Sequence, residues 1–245
     1  MTPEQPSWTI VTGAAGGIGS AIVGRLLEAG HSVAATDLSG LAELDGLAER
    51  FAERLTRTEL DVCSAAAVRG FVASFEEDGA AIGALVTVAG IQKTGASETY
   101  ELDDWRRVLE VNLTGTWVPI QAVLGPLLAR GAGRILTVSS EIGLSGAPYY
   151  AAYAASKGGV IALTKSLAKE YAGRGLVVNS IAPGPIETGI FLGERGHNQA
   201  WLDANVPAGR FGSPDDVAEA VAFLLSGKAD YFVGQVLSPN GGVVI

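Results

Sequence analysis

Two side chains that can exchange a proton, Tyr153 and Lys157, lie four residues apart in the chain. In a helix this spacing places the phenol and the ammonium group on one face, where they can share a site. A nearby ammonium group favours the phenolate over the phenol, which would make Tyr153 a proton donor and acceptor at working pH. Because the two residue types recur at this spacing in many helices, the pair gains meaning only from other features of the chain.

A glycine-rich segment, residues 12–19, has the sequence Thr-Gly-Ala-Ala-Gly-Gly-Ile-Gly and follows the first apolar run. Glycines let a backbone approach a phosphate closely, and a helix that begins near Gly17 would present free N–H groups and its positive end to that phosphate. We therefore expect Gly13, Gly17 and Gly19 to bind the pyrophosphate of a dinucleotide. The alternative is a tight turn between a strand and a helix without a ligand.

Asp37 ends the second apolar run, where a carboxylate can accept hydrogen bonds from the ribose hydroxyls of adenosine. Such a carboxylate repels a 2′-phosphate, and neither the glycine-rich segment nor the two residues after Asp37 supply a cation to bind one. The sequence thus favours NAD over NADP, unless Asp37 only caps a turn. Asp61 and Val62, after the third run, are candidates for holding the adenine, although a carboxylate in a loop is often only solvated.

The composition predicts one α/β domain over residues 1–245. Charged residues make up 18% of the chain and 33 residues are glycine, which suits parallel strands buried between two layers of helices. Seventeen basic and 26 acidic side chains give a net charge of −9, which argues against nucleic acid and anionic membrane surfaces as partners. A single cysteine, Cys63, and a start without signal-peptide features favour a cytoplasmic location.

Short apolar runs alternate with amphipathic stretches of helical period along the whole chain. Strands are predicted over residues 8–12, 32–36, 55–60, 84–88, 135–139, 176–181 and 235–238. Helices are predicted over residues 18–29, 41–54, 65–77, 103–130, 149–171 and 214–225, with a loop-rich stretch at 183–207. Pro119 and Pro126 are expected to bend or divide the long helix. This succession predicts a Rossmann-type, doubly wound parallel sheet of about seven strands, flanked by helices on both faces.

Several motifs in order resemble the short-chain dehydrogenase/reductase family over residues 8–245. The family's Thr-Gly-x-x-x-Gly-x-Gly matches residues 12–19, its Tyr-x-x-x-Lys matches Tyr153 and Lys157, and its serine thirteen residues before the tyrosine matches Ser140. Its helix asparagine matches Asn112, and its Pro-Gly after the sixth strand matches Pro183. One motif departs, because residues 87–90 read Thr-Val-Ala-Gly where many members have Asn-Asn-Ala-Gly. The turn is retained there, but the contacts that stabilise it must differ, because the two asparagine side chains are absent.

The resemblance implies a catalytic role for four residues. Tyr153 would donate a proton to a carbonyl oxygen or accept one from an alcohol, while hydride moves to or from nicotinamide. Lys157 would stabilise the phenolate and hold the nicotinamide ribose, and Ser140 would hydrogen-bond the reacting oxygen. Asn112 would bind a water that passes protons from Lys157 to solvent. The cofactor-binding set implied in this way is Thr12, Gly13, Gly17, Ile18, Gly19, Asp37, Asp61, Val62, Ala89, Gly90, Tyr153, Lys157, Pro183, Gly184, Ile186 and Thr188.

The substrate pocket is less determined, because its loops lie outside the shared motifs. Residues 184–207 are expected to form a lid, and the predicted substrate contacts are Ser140, Gln92, Tyr150 and Phe191. Further candidate walls are Ile91, Glu141, Leu144, Ile190 and Trp201, a mostly apolar set. Arg195 and His197 lie in the lid, each with the alternative of a solvated loop residue. His31 and His197 lack a cluster of further ligands, so no metal site is predicted.

Three functions remain open at this point. The first is an NAD-dependent enzyme for a medium-sized apolar or alicyclic secondary alcohol or ketone. The second is a 3-oxoacyl thioester reductase, for which Asp37 argues against the usual NADPH. The third is a cofactor-binding regulatory or scaffold protein without turnover. The family commonly forms tetramers, and the apolar residues of 105–128, 160–167 and 241–245 lead us to expect a homotetramer.

Overall fold

The computed structural model describes residues 7–188 and 199–245. Seven parallel strands form one sheet in the spatial order β3-β2-β1-β4-β5-β6-β7. They are β1 (Ser7–Thr12), β2 (Ser32–Asp37), β3 (Leu55–Glu59), β4 (Ala81–Thr87), β5 (Gly133–Val138), β6 (Leu176–Ile181) and β7 (Val236–Leu237). The order reverses between β1 and β4, so the carboxyl ends of these two strands flank a crevice. The predicted doubly wound parallel sheet is confirmed.

Helices cover both faces of the sheet in the described residues. They are α1 (Gly17–Glu28), α2 (Asp45–Arg50), α3 (Ala65–Glu77), α4 (Leu102–Leu109), α5 (Gly115–Arg130), α6 (Ile142–Ser145), α7 (Ala151–Tyr171), α8 (Gln199–Asn205) and α9 (Pro214–Leu225). Neighbouring residues of a strand face opposite layers, as Ile10 and Val11 in β1 do. Val11 packs with α1 and α9, and Ile10 packs with α3, α5 and α7.

The long helix predicted over residues 103–130 is divided at a place that the prolines did not indicate. A wider π-helical turn, Glu110–Thr114, separates α4 from α5, whereas Pro119 and Pro126 lie inside α5. A proline costs its helix one hydrogen bond, and the burial of α5 against β4 and α3 outweighs that cost. Single π turns are frequent at functional sites, and this one carries Asn112.

Three other expectations about elements needed correction. The helix predicted over residues 41–54 consists of a 3₁₀ turn, Leu41–Leu44, and the short helix α2. The helix α6 was not predicted, and the stretch expected to be loop over residues 183–207 contains α8. In each case the run is too short for helical periodicity to be distinguished from a loop. No helix among the described residues combines the length and apolarity needed to cross a bilayer.

Candidate active site

An open cleft of about 920 Å³ lies beyond the carboxyl ends of β1, β2, β4 and β5. One end is lined by the glycine-rich turn and the residues that follow β2 and β3. The other end is lined by residues after β5, by α7 and by the segment after β6. The chain therefore brings the predicted nucleotide and catalytic residues into one continuous cavity.

The glycine-rich turn is packed too closely for side chains at two positions. Gly13 has φ +65°, and a Cβ there would lie 2.5 Å from the backbone nitrogen of Ala89. A Cβ on Gly19 would lie 2.0 Å from the carbonyl oxygen of Gly13. Thr12 Oγ1 accepts hydrogen bonds from Val88 N at 3.2 Å and from Ala89 N at 3.4 Å. This hydroxyl braces the turn after β4, where the family's usual asparagine amides are replaced.

The start of α1 faces the cleft with backbone groups. Its N-cap residue, Gly16, has no side chain to accept a hydrogen bond, and Gly17 and Ile18 line the cleft. The N–H groups of a first helical turn lack partners within the helix, so here they are available to an anion. Thr188 stands opposite, with its Cγ2 3.0 Å from the position that a Cβ on Gly17 would take. These residues fit the phosphates of a dinucleotide.

Asp37 is the last residue of β2 and is held at both carboxylate oxygens. Oδ2 accepts a hydrogen bond from Ala15 N at 2.9 Å, and Oδ1 accepts one from Leu38 N at 2.7 Å. The carboxylate is thereby fixed beside the glycine-rich turn. Asp61 and Val62 line the same end of the cleft, where Asp61 Oδ1 accepts a hydrogen bond from Cys63 N at 2.9 Å.

Lys157 is buried behind Tyr153 on α7. Its side chain is 3% exposed, and Nζ donates a hydrogen bond to Val138 O at 2.9 Å. Nζ lies 5.8 Å from the centre of the Tyr153 ring, on the helix face that both residues share. Burial lowers the pKa of Lys157 to about 8, because the interior disfavours the charged ammonium group. A Cβ on Gly90 would lie 3.3 Å from Nζ, so this glycine keeps space beside the lysine.

The two serines after β5 have different surroundings. Ser139 Oγ donates to Ile181 O at 2.9 Å and accepts from Ser180 Oγ at 2.8 Å, which ties it to β6. Ser140 is buried in the cleft wall, and its Oγ accepts a hydrogen bond from Ile142 N at 3.2 Å. The hydroxyl of Ser140 keeps its own proton to donate, as an oxyanion-stabilising group must.

Asn112 uses its side chain to hold the segment after β4. Oδ1 accepts from Ile91 N at 2.8 Å, and Nδ2 donates to Ile91 O at 2.9 Å and to Ser156 Oγ at 3.0 Å. The oxygen and the nitrogen of the Asn112 amide are thus both hydrogen-bonded to protein atoms. The side chain positions the residues beside Lys157. The water binding that the resemblance implies for Asn112 stays a prediction.

The segment after β6 closes the other wall of the cleft. Pro183 O accepts a hydrogen bond from Glu141 N at 3.0 Å, and a Cβ on Gly184 would lie 2.6 Å from Asn240 Cα. Ile186 forms an isolated bridge with Gly212, just before α9. The predicted cofactor-binding residues Pro183, Gly184, Ile186 and Thr188 all line the cleft.

The substrate end agrees only partly with the predicted walls. Tyr150 is 5% exposed and its ring lies 6.3 Å from the ring of Tyr153, edge to face. The candidate walls Ile91, Gln92, Glu141 and Trp201 also line the cleft. Leu144, on the short helix α6, is 44% exposed and is not among the described residues that line the cleft. The predicted contacts that fall outside the described residues are Phe191, Ile190, Arg195 and His197.

Arg107, Asn205 and Val243 are among the residues that line the cleft and were not predicted from the sequence. Val243 packs against the apolar cluster of Leu202, Val206 and Phe211. The apolar sequence of the last five residues was the available signal. It also led to the expectation of a subunit interface, which stays a prediction. Among the described residues, no group of three or more histidine, cysteine, aspartate and glutamate side chains is arranged to hold a metal ion.

Comparisons with known proteins cover almost the whole chain. The family profile described as enoyl-(acyl carrier protein) reductase matches residues 13–244. The chain belongs to the short-chain dehydrogenase/reductase family. Members of this family are oxidoreductases that use a nucleotide cofactor, and that activity class applies to this chain. The resemblance stated from the motifs is thereby confirmed at the level of the family.

Relatives with different activities are equally similar to this chain. It is 38% identical to the 3-oxoacyl-[acyl-carrier-protein] reductase FabG of Vibrio harveyi over 236 residues, 96% of each chain. It is 37% identical to 2-(S)-hydroxypropyl-CoM dehydrogenase 3 of Xanthobacter autotrophicus, covering 95% of this chain and 94% of that one. Sequence identity at this level therefore does not indicate which of the two substrate classes this chain uses.

Solved structures give the same fold with a nucleotide in place. A proposed NAD(P)-dependent gluconate 5-dehydrogenase from Beutenbergia cavernae, with NADP bound at low occupancy, superposes with a TM-score of 0.89. It is 34% identical, and the match covers 97% of this chain and 96% of that chain. ElxO with NADP bound gives a TM-score of 0.91 at 26% identity, covering 98% of this chain and 99% of the other.

Proposed function

We propose that this protein is an NAD-dependent dehydrogenase or reductase that interconverts a medium-sized secondary alcohol and its ketone. One observation carries the proposal: the buried Lys157 lies beside the ring of Tyr153 in the same cleft that the glycine-rich turn lines. A proton-transfer group thus shares a cavity with a dinucleotide-binding backbone. That combination is what hydride exchange at a carbinol carbon requires.

Each catalytic residue at the substrate end of the cleft has a proposed task that its surroundings support. In oxidation, Tyr153 accepts the hydroxyl proton of the alcohol, and in reduction it returns a proton to the carbonyl oxygen. Lys157 stabilises the phenolate form of Tyr153, since its ammonium group lies beside the ring. Ser140 donates a hydrogen bond to the reacting oxygen as negative charge develops on it. When bound, the nicotinamide accepts the hydride of the alcohol or supplies it to the ketone.

The adenosine end supports NAD as the cofactor. Asp37 is fixed by Ala15 N and Leu38 N, so its negative charge cannot turn away from a ligand at the end of β2. A ribose diol donates hydrogen bonds to such a carboxylate, whereas a 2′-phosphate is repelled by it. The residues that follow Asp37 on this side of the cleft, Leu38, Ser39 and Gly40, carry no positive charge to offset that repulsion.

A second candidate function is the reduction of a 3-oxoacyl thioester with NADPH. It is favoured by the reductases of this type among the relatives at 37–38% identity and by the NADP in two similar structures. The carboxylate of Asp37 stands against it. A third candidate, a cofactor-binding protein without turnover, is the alternative if no substrate reacts.

The deciding experiment follows the absorbance of the reduced nucleotide with NAD and NADP against secondary alcohols, ketones and 3-oxoacyl thioesters. We expect NAD-linked turnover of alcohols or ketones. Tyr153→Phe keeps the ring and removes the proton, so turnover should fall on the order of 10²- to 10⁴-fold while NAD still binds. Turnover retained by Tyr153→Phe would refute the assignment, NADPH-linked thioester reduction would establish the second candidate, and NAD binding without any turnover the third.

The assembly and location are proposals of the same kind. We propose a homotetramer, supported by exposed apolar side chains such as Tyr149, Tyr231 and Ile245. We also propose a cytoplasmic location, which is supported by the single cysteine, since it cannot form an internal disulfide. Light scattering at micromolar concentration should give four times the chain mass, and a monomer mass would overturn the tetramer.

A further inference from the structure

Ser156 is a fully buried hydroxyl residue on α7, in the sequence between Tyr153 and Lys157, and the proposed mechanism does not use it. Its Oγ donates a hydrogen bond to the main-chain oxygen of Tyr153 at 2.7 Å and accepts one from Asn112 Nδ2 at 3.0 Å. The first bond stays within the helix, as the bonds of helical serine hydroxyls commonly do. The second bond joins α7 to the π turn between α4 and α5.

Asn112, at the other end of this second bond, is itself held on several sides. Its side chain pairs with both main-chain polar atoms of Ile91, at 2.8 and 2.9 Å. Its main-chain oxygen accepts a hydrogen bond from Thr116 Oγ1 at 2.7 Å. Asn112 and Thr116 are both buried, so solvent cannot replace these bonds. A side chain fixed in this way determines the position of the group that it binds.

The same set of bonds reaches the surroundings of Lys157. Ile91 follows Gly90, and a Cβ on Gly90 would lie 3.3 Å from both Asn112 Oδ1 and Lys157 Nζ. Among the described hydrogen bonds of the Asn112 side chain, the one to Ser156 reaches α7. This bond therefore sets how the helix that carries the proton-transfer group lies against the segment after β4.

We infer that Ser156 is a positioning residue whose hydroxyl ties α7 to the π turn and thereby fixes Tyr153 and Lys157 relative to the segment after β4. Ser156 is not among the described residues that line the cleft, so it acts through Tyr153 and Asn112. A misplacement of reacting groups by about 1 Å can lower a rate on the order of a hundredfold. This inference rests on the proposed function and deepens it.

The test compares Ser156→Ala with the wild-type protein in the NAD-linked oxidation of cyclohexanol, or of the fastest alcohol of the panel if cyclohexanol does not react. The variant leaves an Asn112 N–H group buried without its acceptor. We expect kcat to fall by roughly tenfold. The KM for NAD and the dissociation constant of NAD, measured by fluorescence titration, should stay within about twofold, because the glycine-rich turn and Asp37 are unaltered.

Thr164→Val is the matched control, because Thr164 is another fully buried hydroxyl residue on α7. Its Oγ1 donates to Val160 O at 2.9 Å and shares a hydrogen bond of 2.8 Å with Thr137 Oγ1, so it also joins the helix to a neighbouring element. Both variants should lower the free energy of unfolding, measured with urea in the absence of nucleotide. Only Ser156→Ala should lower kcat, which separates positioning from a merely structural role.

A double-variant cycle shows whether Ser156 acts through Asn112. If it does, the protein that carries both Ser156→Ala and Asn112→Ala should have nearly the kcat of Asn112→Ala alone. The two losses in the free energy of unfolding should likewise add to less than their sum, because each variant breaks the same bond.

Two results would overturn the inference and leave the proposed function intact. One is a loss of kcat that Ser156→Ala does not show or that Thr164→Val shares. The other is a cycle in which the two losses of kcat are additive. If Ser156→Ala does not fold, Ser156→Cys decides by the same criteria, because a thiol is a weaker hydrogen-bonding group. Absence of turnover with every alcohol and ketone of the panel would overturn the proposed function itself, and the inference with it.

Discussion

The two ends of the cleft differ in the groups that they offer to a ligand, which are backbone groups at one end and side chains at the other. At the dinucleotide end, backbone groups would meet the phosphates: the glycine-rich turn, packed against the segment after β4, and the start of α1, which has no side-chain cap. At the substrate end the groups proposed to react are the side chains of Ser140, Tyr153 and Lys157, of which Ser140 and Lys157 are buried. The first end is therefore sensitive to added volume, and the second to changes of charge and hydrogen bonding.

Because of this difference, the two ends contribute to the stability of the folded protein in opposite directions. Close backbone packing at Gly13 and Gly19 serves both the fold and the ligand. Burial of Lys157 disfavours its charged form, as its lowered pKa of about 8 indicates, so the group needed for chemistry opposes the stability of the fold. The substrate end should then gain stability when its function is removed, while the dinucleotide end should lose both together.

The largest effect is expected for Lys157→Met, which tests the substrate end. Turnover should fall on the order of 10²- to 10⁴-fold, because the phenolate of Tyr153 loses its stabilising charge. At pH 7 the free energy of unfolding should rise by about 1 to 3 kcal/mol, since the lost hydrogen bond to Val138 O is worth less than the desolvation of the ammonium group. Activity assays and urea unfolding measure the two quantities.

The pH dependence of this gain has a definite sign. The pKa of Lys157 is about 8 in the folded protein and 10.5 when unperturbed, so the unfolded chain binds the proton more tightly. The resulting penalty is fully present below pH 8 and vanishes as the pH rises toward 10.5. The stability difference between Lys157→Met and the wild type should shrink over that range. If the stability difference stayed constant with pH, the burial of Lys157 would not destabilise the folded protein as we expect.

Gly19→Ala should have the next largest effect, at the dinucleotide end. The added Cβ would lie 2.0 Å from Gly13 O, so the turn must move, at a cost of about 3 kcal/mol or more. NAD affinity should fall together with the unfolding midpoint. Gly16→Ala is the control, because its Cβ would meet Gly13 O only at 3.5 Å. Equal losses from the two variants would argue against a packing role for the turn.

A smaller effect is expected when Asp37 is replaced by serine and Leu38 by arginine. The exchange removes the fixed negative charge and supplies a cation for a 2′-phosphate. The preference for NAD over NADP, measured as a ratio of kcat/KM values, should shift toward NADP by roughly tenfold to a hundredfold. If the unaltered protein already preferred NADP, the carboxylate of Asp37 would be bracing the turn without selecting the cofactor.

The smallest effect is expected behind the cleft, at the start of α9. Ser213 and Asp216 form a reciprocal capping box, with Ser213 Oγ accepting from Asp216 N at 3.2 Å. Ser213→Ala should lower the free energy of unfolding by about 1 kcal/mol and leave kcat/KM unchanged. Ser64 caps α3 through a single longer bond of 3.4 Å, so Ser64→Ala should cost less. Thermal unfolding of both variants measures the difference.

Much of the dinucleotide end could be predicted from the sequence, because its signals are local. A strand, a glycine turn and a helix follow one another within residues 7–28, and Asp37 is placed by the end of the next strand. The backbone there can take few conformations, and the spacing of the glycines reflects that constraint. Tyr153 and Lys157 were predictable for the same reason, since one helix fixes their relation.

Only the tertiary structure decided what surrounds these residues. The π turn at Asn112, the burial of Glu141 and the approach of Val243 to the cleft depend on segments far apart in the chain. No local periodicity encodes such contacts, because they arise when α4, α6 and the C-terminal segment pack around a common cavity. The sequence by itself thus determined the fold and the type of chemistry through local geometry. The surroundings of the substrate end were decided by packing between distant segments.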